Sequence, residues 1–227
     1  MAEYGPHPSG ALRDLFASQR IPFQGQRLEM ARVVFLGLDA NYDPELSSYP
    51  DFFERILEYH HDGVAFWKRH GVHHPFLLPE YPLAKNTGGV PYHRRFQAMG
   101  LSAEQADCIA FVELLNVPTT GRTQKTIFWR LFDADYATTL EHVLSDGRSR
   151  LVVLSGSVLT AIREAKRQLG LFRTFPDRLE IGASVRVGEC EFTRFKHFSS
   201  AIGNSELRQM GRRIRCFCEA STGPVSD

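Results

Sequence analysis

Three polar side chains with different chemistry each close a strand-like run in this sequence. Asp39, with Asn41 two residues on, follows residues 33–38 (VVFLGL). Asn116 closes residues 109–116 (IAFVELLN), and His197 closes residues 189–197 (ECEFTRFKH). A carboxylate can hold a water and stabilise nearby positive charge. An amide donates and accepts at once, and an imidazole can donate to a developing anion. Each residue also has an ordinary structural role. Asp39 and Asn41 suit a turn, Asn116 before Val117 and Pro118 suits a loop, and His197 suits a satisfied core ring. The signal is the set, one acid, one amide and one imidazole at successive run ends.

Those ends matter because of the elements that carry them. A fully apolar run fits a strand covered on both faces, as in a parallel sheet between helices. In such sheets ligands sit beyond the carboxyl ends of the strands. Residues 33–38, 107–118 and 150–156 read as strands of this kind, and residues 189–197 alternate like an edge or half-exposed strand. Helical patterns cover residues 11–18, 51–69 with Asp51 as cap, 92–99 ending at Gly100, and 126–144. Ser157 opens another to 169, and Asn204 caps a last helix burying Leu207, Met210, Ile214 and Phe217. Repeated strand–helix units predict an α/β fold, with three αβα layers and a central, mostly parallel four-stranded sheet. One domain spans 1–227, residues 1–10 are expected to be flexible, and 43–91 is a long divergent segment.

Composition narrows the function classes. At 227 residues and 43% hydrophobic the chain can bury a real core. No apolar run approaches the ~18–20 residues that span a bilayer, and the first residues lack a signal pattern. A cytoplasmic protein is expected, nucleoid-associated if bacterial. A net charge of +1 neither requires nor excludes nucleic acid. Cys108, Cys190, Cys216 and Cys218 lack zinc or iron–sulfur spacing and read as free thiols. His60, His61, His70, His73 and His74 crowd one region, without a designed pair on one helix face. They read as a solvated, partly basic surface rather than a metal site. No metal and no cofactor are expected, and no Gly-x-Gly-x-x-Gly follows a strand.

Taken in order, four motifs between residues 32 and 217 resemble those of the uracil-DNA glycosylase superfamily. Residues 37–41 (GLDAN) match its water-handling strand end, with Asp39 in the place of the activating acid. Residues 114–117 (LLNV) are similar to its base-reading strand end, which implies that Asn116 reads the base. Residues 154–157 (LSGS) match the turn into its next helix, and residues 197–202 (HFSSAI) match its His-led loop. The resemblance implies a monofunctional DNA glycosylase that flips a base out of DNA and hydrolyses its N-glycosidic bond. The catalytic set is then Asp39, His197 and Asn41, with Asn116, Asn41 and Tyr42 reading the base. DNA contacts fall to Ser157, Ser199, Ser200, Ile202 as wedge, and Lys196. The partner is DNA, double- or single-stranded, with no membrane, and the chain is expected to be a monomer.

Departures from the family pattern bear on the substrate. Asn41 stands where the uracil-specific branch carries a tyrosine wall against C5 substituents, so the base is uracil or a modified pyrimidine. C5-substituted bases, as in phage DNA, would make a defence role plausible. Phe198 replaces the proline usual after the histidine. The stacking aromatic is one of Tyr49, Phe76, Tyr81 or Tyr92. No lysine takes a motif position, so no Schiff-base step is expected; Lys196 and Lys85 are the places to look for one. The rival readings are a nucleoside or nucleotide hydrolase on a similar sheet and a catalytically inactive DNA-binding relative.

Overall fold

The computed structural model describes residues 3–83 and 90–219, which leaves Lys85 outside the described residues. In chain order the elements are β1 (Gly5–Pro6), α1 (Gly10–Ala17), β2 (Phe23–Gly25), β3 (Val33–Gly37), α2 (Pro50–His61) and α3 (Gly63–His70). There follow α4 (Pro91–Gln97), β4 (Ile109–Glu113), β5 (Thr119–Thr120), α5 (Lys125–Leu131), α6 (Ala134–Leu144) and β6 (Arg150–Leu154). The chain continues through α7 (Gly156–Leu169), β7 (Ser184–Val187) and β8 (Cys190–Arg194) to α8 (Asn204–Glu219).

The central sheet has six strands in the order β2-β4-β3-β6-β8-β7. The four inner strands are parallel, and β2 and β7 add antiparallel edges. Three of these strands were legible as apolar runs and β8 as an alternating one; the edges were not, because β2 is three residues long and β7 is exposed. The run at 189–197 is consequently interior, covered by β7, and not an edge.

Alternation along the strands divides the core. Val34, Leu36, Val112, Val152 and Leu154 face Leu140 of α6 and Val158 and Ile162 of α7. Val33, Phe35, Ile109, Phe111, Leu151 and Val153 face Trp67 of α3, Phe96 of α4, and Leu207, Met210 and Ile214 of α8. Helices therefore cover both faces, which is why the inner strands are apolar throughout. A third cluster joins α1 and α2 through Leu12, Phe16, Tyr42, Phe52, Ile56 and Phe76.

Two long helical patterns break in the structure. Residues 51–69 split at Asp62, whose carboxylate accepts from the Ala65 amide at 2.9 Å and caps α3. Pro50, and not a capping Asp51, opens α2. The break lets Gly63 meet Gly25: a Cβ on Gly63 would lie 2.5 Å from the Gly25 nitrogen. Residues 126–144 split at Asp133, which accepts from the Asp135 and Tyr136 amides. The helix read as opening at Ser157 is capped by Ser155.

Three further expectations change. From Glu3 to Gly10 the tail is tied down: Gly5 and Pro6 pair with Thr120 and Thr119, and Tyr4 and His7 are buried. Cys108 and Cys218 form a disulfide across 110 positions, with Cα atoms 6.0 Å apart, while Cys190 and Cys216 remain free thiols. The pairing needs the start of β4 and the last turn of α8 to meet, which spacing does not reveal. His60, His73 and His74 are buried rather than solvated. Among the described residues no cluster of His, Cys, Asp and Glu could hold a metal, and no helix is long and apolar enough to cross a membrane.

Candidate functional site

A cavity of about 400 Å³ opens at the carboxyl ends of β3, β4, β6 and β8, within the usual size range of small-molecule sites. Its lining takes Gly37 to Tyr42 from the end of β3, Glu113 from β4, Leu154 and Ser155 from β6, and residues 195–199 after β8. Aromatic and imidazole groups from the 43–99 region close the other side, among them Tyr59, His74, Phe76, Tyr92 and His93. The long segment thus contributes one wall of the pocket.

Asp39 lies two residues past Gly37, the last residue of β3, and lines the cavity there. Its Oδ2 accepts from the Tyr4 hydroxyl at 2.9 Å and from Thr119 Oγ1 at 2.7 Å. Its Oδ1 has only a 3.5 Å approach from Thr123 Oγ1, at the limit of a hydrogen bond. One oxygen is therefore fixed, and the other retains capacity to hold a water.

His197 lies at the rim. Its Nδ1 accepts from the Ser199 backbone amide at 3.2 Å, and Ser199 Oγ lies 2.5 Å away. A backbone N–H can only donate, so a neutral ring carries its proton on Nε2. Desolvation lowers the pKa of this ring, partly opposed by Asp39. A neutral Nε2–H donor follows. Ser200 supports the loop by donating from its amide at 2.8 Å and its hydroxyl at 2.6 Å to the His197 carbonyl. Arg95 of α4 donates to the Phe198 carbonyl at 2.5 Å.

Other sequence candidates take different roles. Asn41 lines the cavity, but its amide donates to the Gly121 carbonyl at 2.7 Å and Thr119 Oγ1 at 3.2 Å, which ties down the loop after β5. Tyr42 is buried on the cavity wall, its hydroxyl 2.6 Å from His60 Nε2. Asn116 is not part of the lining; it donates to Asp133 at the start of α6, 3.2 Å away. The reason is register: β4 ends at Glu113, and the amides of Leu114 and Leu115 then bond the Gly37 and Leu38 carbonyls. This turns Asn116 aside.

Ser199 and Lys196 line the cavity, with Lys196 ion-paired to Glu206 at 2.8 Å. Ser157 is exposed and bonded to Ser155 instead. Ile202 is half-buried and packs against the core formed with α8. Of the four stacking candidates, Phe76 and Tyr92 line the cavity; Tyr49 and Tyr81 do not.

Glu113 is the residue that sequence reasoning missed. It pairs in register with Gly37 on the neighbouring strand, and its carboxylate lies over that glycine. A Cβ at Gly37 would stand 1.8 Å from Glu113 Oε2. Burial first, and the nearby Asp39 second, push its carboxyl well above the usual range. Glu113 was legible only as the acid ending residues 109–112 (IAFV), the same signal that marked Asp39. His60, His74 and His93 are likewise pushed down by burial and stay neutral.

The fold and site together define a mostly parallel α/β sheet with an acid, an imidazole and a buried carboxyl across its strand ends. A scan of protein-family models and a search of curated proteins both give no match to this chain.

Proposed function

We propose that this protein is a monofunctional DNA glycosylase, with a sheet core of the uracil-DNA-glycosylase kind. The observation that carries the reading is that Asp39 and His197, from strands separated by β6, line one cavity at the carboxyl edge of the sheet. N-glycosidic cleavage passes through an oxocarbenium-like sugar while negative charge grows on the departing base. Asp39 Oδ1 would hold the attacking water and stabilise the sugar, and His197 Nε2–H would donate to the base oxygen. Tyr92 and Phe76 offer apolar faces to a base taken out of the stack. Ser199 and Lys196 sit where flanking phosphates would pass. Because the Asn41 amide is engaged by the β5 loop, the family's tyrosine wall has no substitute there. C5-substituted pyrimidines, including those of phage DNA, belong to the substrate range on this reading.

The test is base release from duplex and single-stranded oligonucleotides bearing uracil, cytosine, their 5-hydroxymethyl forms, hypoxanthine and thymine mismatches. Alkali-labile sites at one class of base are expected. Asp39→Asn should reduce them about 10²–10⁴-fold and His197→Ala about 10²–10³-fold. Cleavage of free nucleosides without action on DNA would instead establish a nucleoside hydrolase. Retained DNA binding with no product from any base would establish an inactive relative.

A further inference from the structure

We propose that the cavity wall contributed by residues 43–91 holds a second subsite, in which Tyr59 and His74 bind a hydroxyl-bearing substituent on the base. This rests on the glycosylase reading and names its substrate class. The favoured base carries an oxygen-bearing group where its poorer analogues carry hydrogen or methyl. Three observations support the subsite. Tyr59 lines the cavity and is 1% exposed, yet its hydroxyl has no hydrogen-bond partner among the described residues. His74 lines the same wall, its ring centre 4.7 Å from that of Tyr59. The Phe76 backbone amide donates to His74 Nδ1 at 3.1 Å, which fixes where the ring keeps its proton.

The chemistry follows from these donors and acceptors. A backbone N–H can only donate, so His74 Nδ1 is bare and the proton sits on Nε2. His74 therefore brings an N–H donor, while the Tyr59 hydroxyl can donate or accept. Together they suit a group with both lone pairs and a proton. A hydroxyl on the base accepts from one and completes its second bond with the other; a methyl group does neither. Neighbouring polar groups are already engaged. The Tyr42 hydroxyl accepts from Gln24 Nε2 at 3.2 Å and lies 2.6 Å from His60 Nε2. Packing does not account for the Tyr59 oxygen either. The ring meets His60, Phe66 and His74 edge-on, at 5.5, 5.4 and 4.7 Å. A phenylalanine would make those contacts as well, so the hydroxyl adds only an unmet bond within the protein.

Placement agrees with this role. Asp39 and His197 hold the sheet edge of the cavity, and the wall with Tyr59 and His74 closes its other side. A base whose oxygen faces His197 Nε2–H directs an outward substituent toward that wall. At about 400 Å³ the cavity is of the size that encloses drug-sized ligands, which leaves room beyond a bare pyrimidine. Tyr59 and His74 stand outside all four motifs that resemble the glycosylase pattern. The discrimination is thus built from the divergent segment. A site that hydrogen-bonds a substrate hydroxyl rejects the analogue lacking it, because its own buried polar groups then stay unpaired.

The experiment measures base release from oligonucleotides in two matched series, by the wild type and Tyr59→Phe. One series is uracil, thymine and 5-hydroxymethyluracil; the other is cytosine, 5-methylcytosine and 5-hydroxymethylcytosine. Thermal melts of both proteins are recorded without DNA. In at least one series the wild type should release the hydroxymethyl base about 100-fold faster than the methyl base. Tyr59→Phe should cut that ratio about tenfold or more. Its melting temperature should equal or exceed that of the wild type, since no bond within the protein is lost. A wild type that releases methyl and hydroxymethyl bases alike, or a ratio unmoved in Tyr59→Phe, overturns the subsite and leaves the glycosylase reading standing. A lower melting temperature for Tyr59→Phe also overturns the subsite, because the hydroxyl would then be bonded inside the protein. No release of any base by the wild type overturns both.

Discussion

Asp39 presents two unlike oxygens, and the difference is supplied by residues distant in sequence. Tyr4 and Thr119 both donate to Oδ2, which leaves Oδ1 for the cavity. Tyr4→Phe should cost about 1–2 kcal/mol of stability, since a hydrogen bond to a charged group is lost. It should reduce turnover less than Asp39→Asn does, because Thr119 still holds Oδ2; thermal melts and single-turnover kinetics on the preferred oligonucleotide would check this. His197 makes a second residue-level prediction. Its pKa lies below the ordinary 6.5 because the ring is desolvated, so the neutral donor persists as pH falls through that value. Base release should hold steady from pH 8 to 6.5 and decline only below it. A midpoint for the acid limb at or above pH 6.5 would contradict a neutral, desolvated His197.

Among the elements, the close approaches decide where the pocket walls stand. Gly211 of α8 passes the loop after α4, where a Cβ would come 2.0 Å from the Met99 carbonyl. Gly211→Ala should destabilise the protein by about 1–3 kcal/mol through overpacking. It should also disturb the His197 loop, since α4 braces that loop through Arg95. Urea unfolding would give the first effect and the KM for oligonucleotide the second. The cap at Asp62 opens α3, whose Trp67 packs against Phe96 of α4, and Asp62→Ala should cost about 1 kcal/mol. The inner strands and Asp39 were legible because an apolar run ending in a turn-forming acid is a local pattern. The breaks at Asp62 and Asp133 were legible only in part, because each lies inside one continuous amphipathic pattern. Glu113 was hidden for a different reason. Whether a strand ends at Glu113 or at Asn116 depends on register against β3, which is set by contacts between residues about 76 positions apart. The buried histidines were misread because imidazoles suit both water and an aromatic core, and only packing chooses between them.

At the scale of the molecule, the disulfide and the histidines set the conditions under which the fold survives. Cys108–Cys218 closes a loop of 110 residues, and its reduction should lower stability by about 2–4 kcal/mol, visible as a lower urea midpoint with reductant. Acid should act more steeply. His60 and His93 are held down to about 3 by burial, from an ordinary 6.5, and His73 and His74 are lowered in the same direction. A folded pKa below the unfolded one means that the unfolded chain binds more protons. Stability is therefore complete above pH 6.5 and is lost as pH falls from there toward about 3. Each such histidine contributes a slope of about 1.4 kcal/mol per pH unit in that window. These rings pack among Tyr42, Tyr59, Phe76 and Tyr92 on the cavity's closed side. Loss of the fold and loss of the pocket should thus coincide on acidification. Urea midpoints measured from pH 7.5 to 4.5 should fall steadily below 6.5, and His93→Gln should flatten the slope. A midpoint independent of pH across that range would mean that the imidazoles are not held neutral, and the closed wall of the pocket would have to be redrawn.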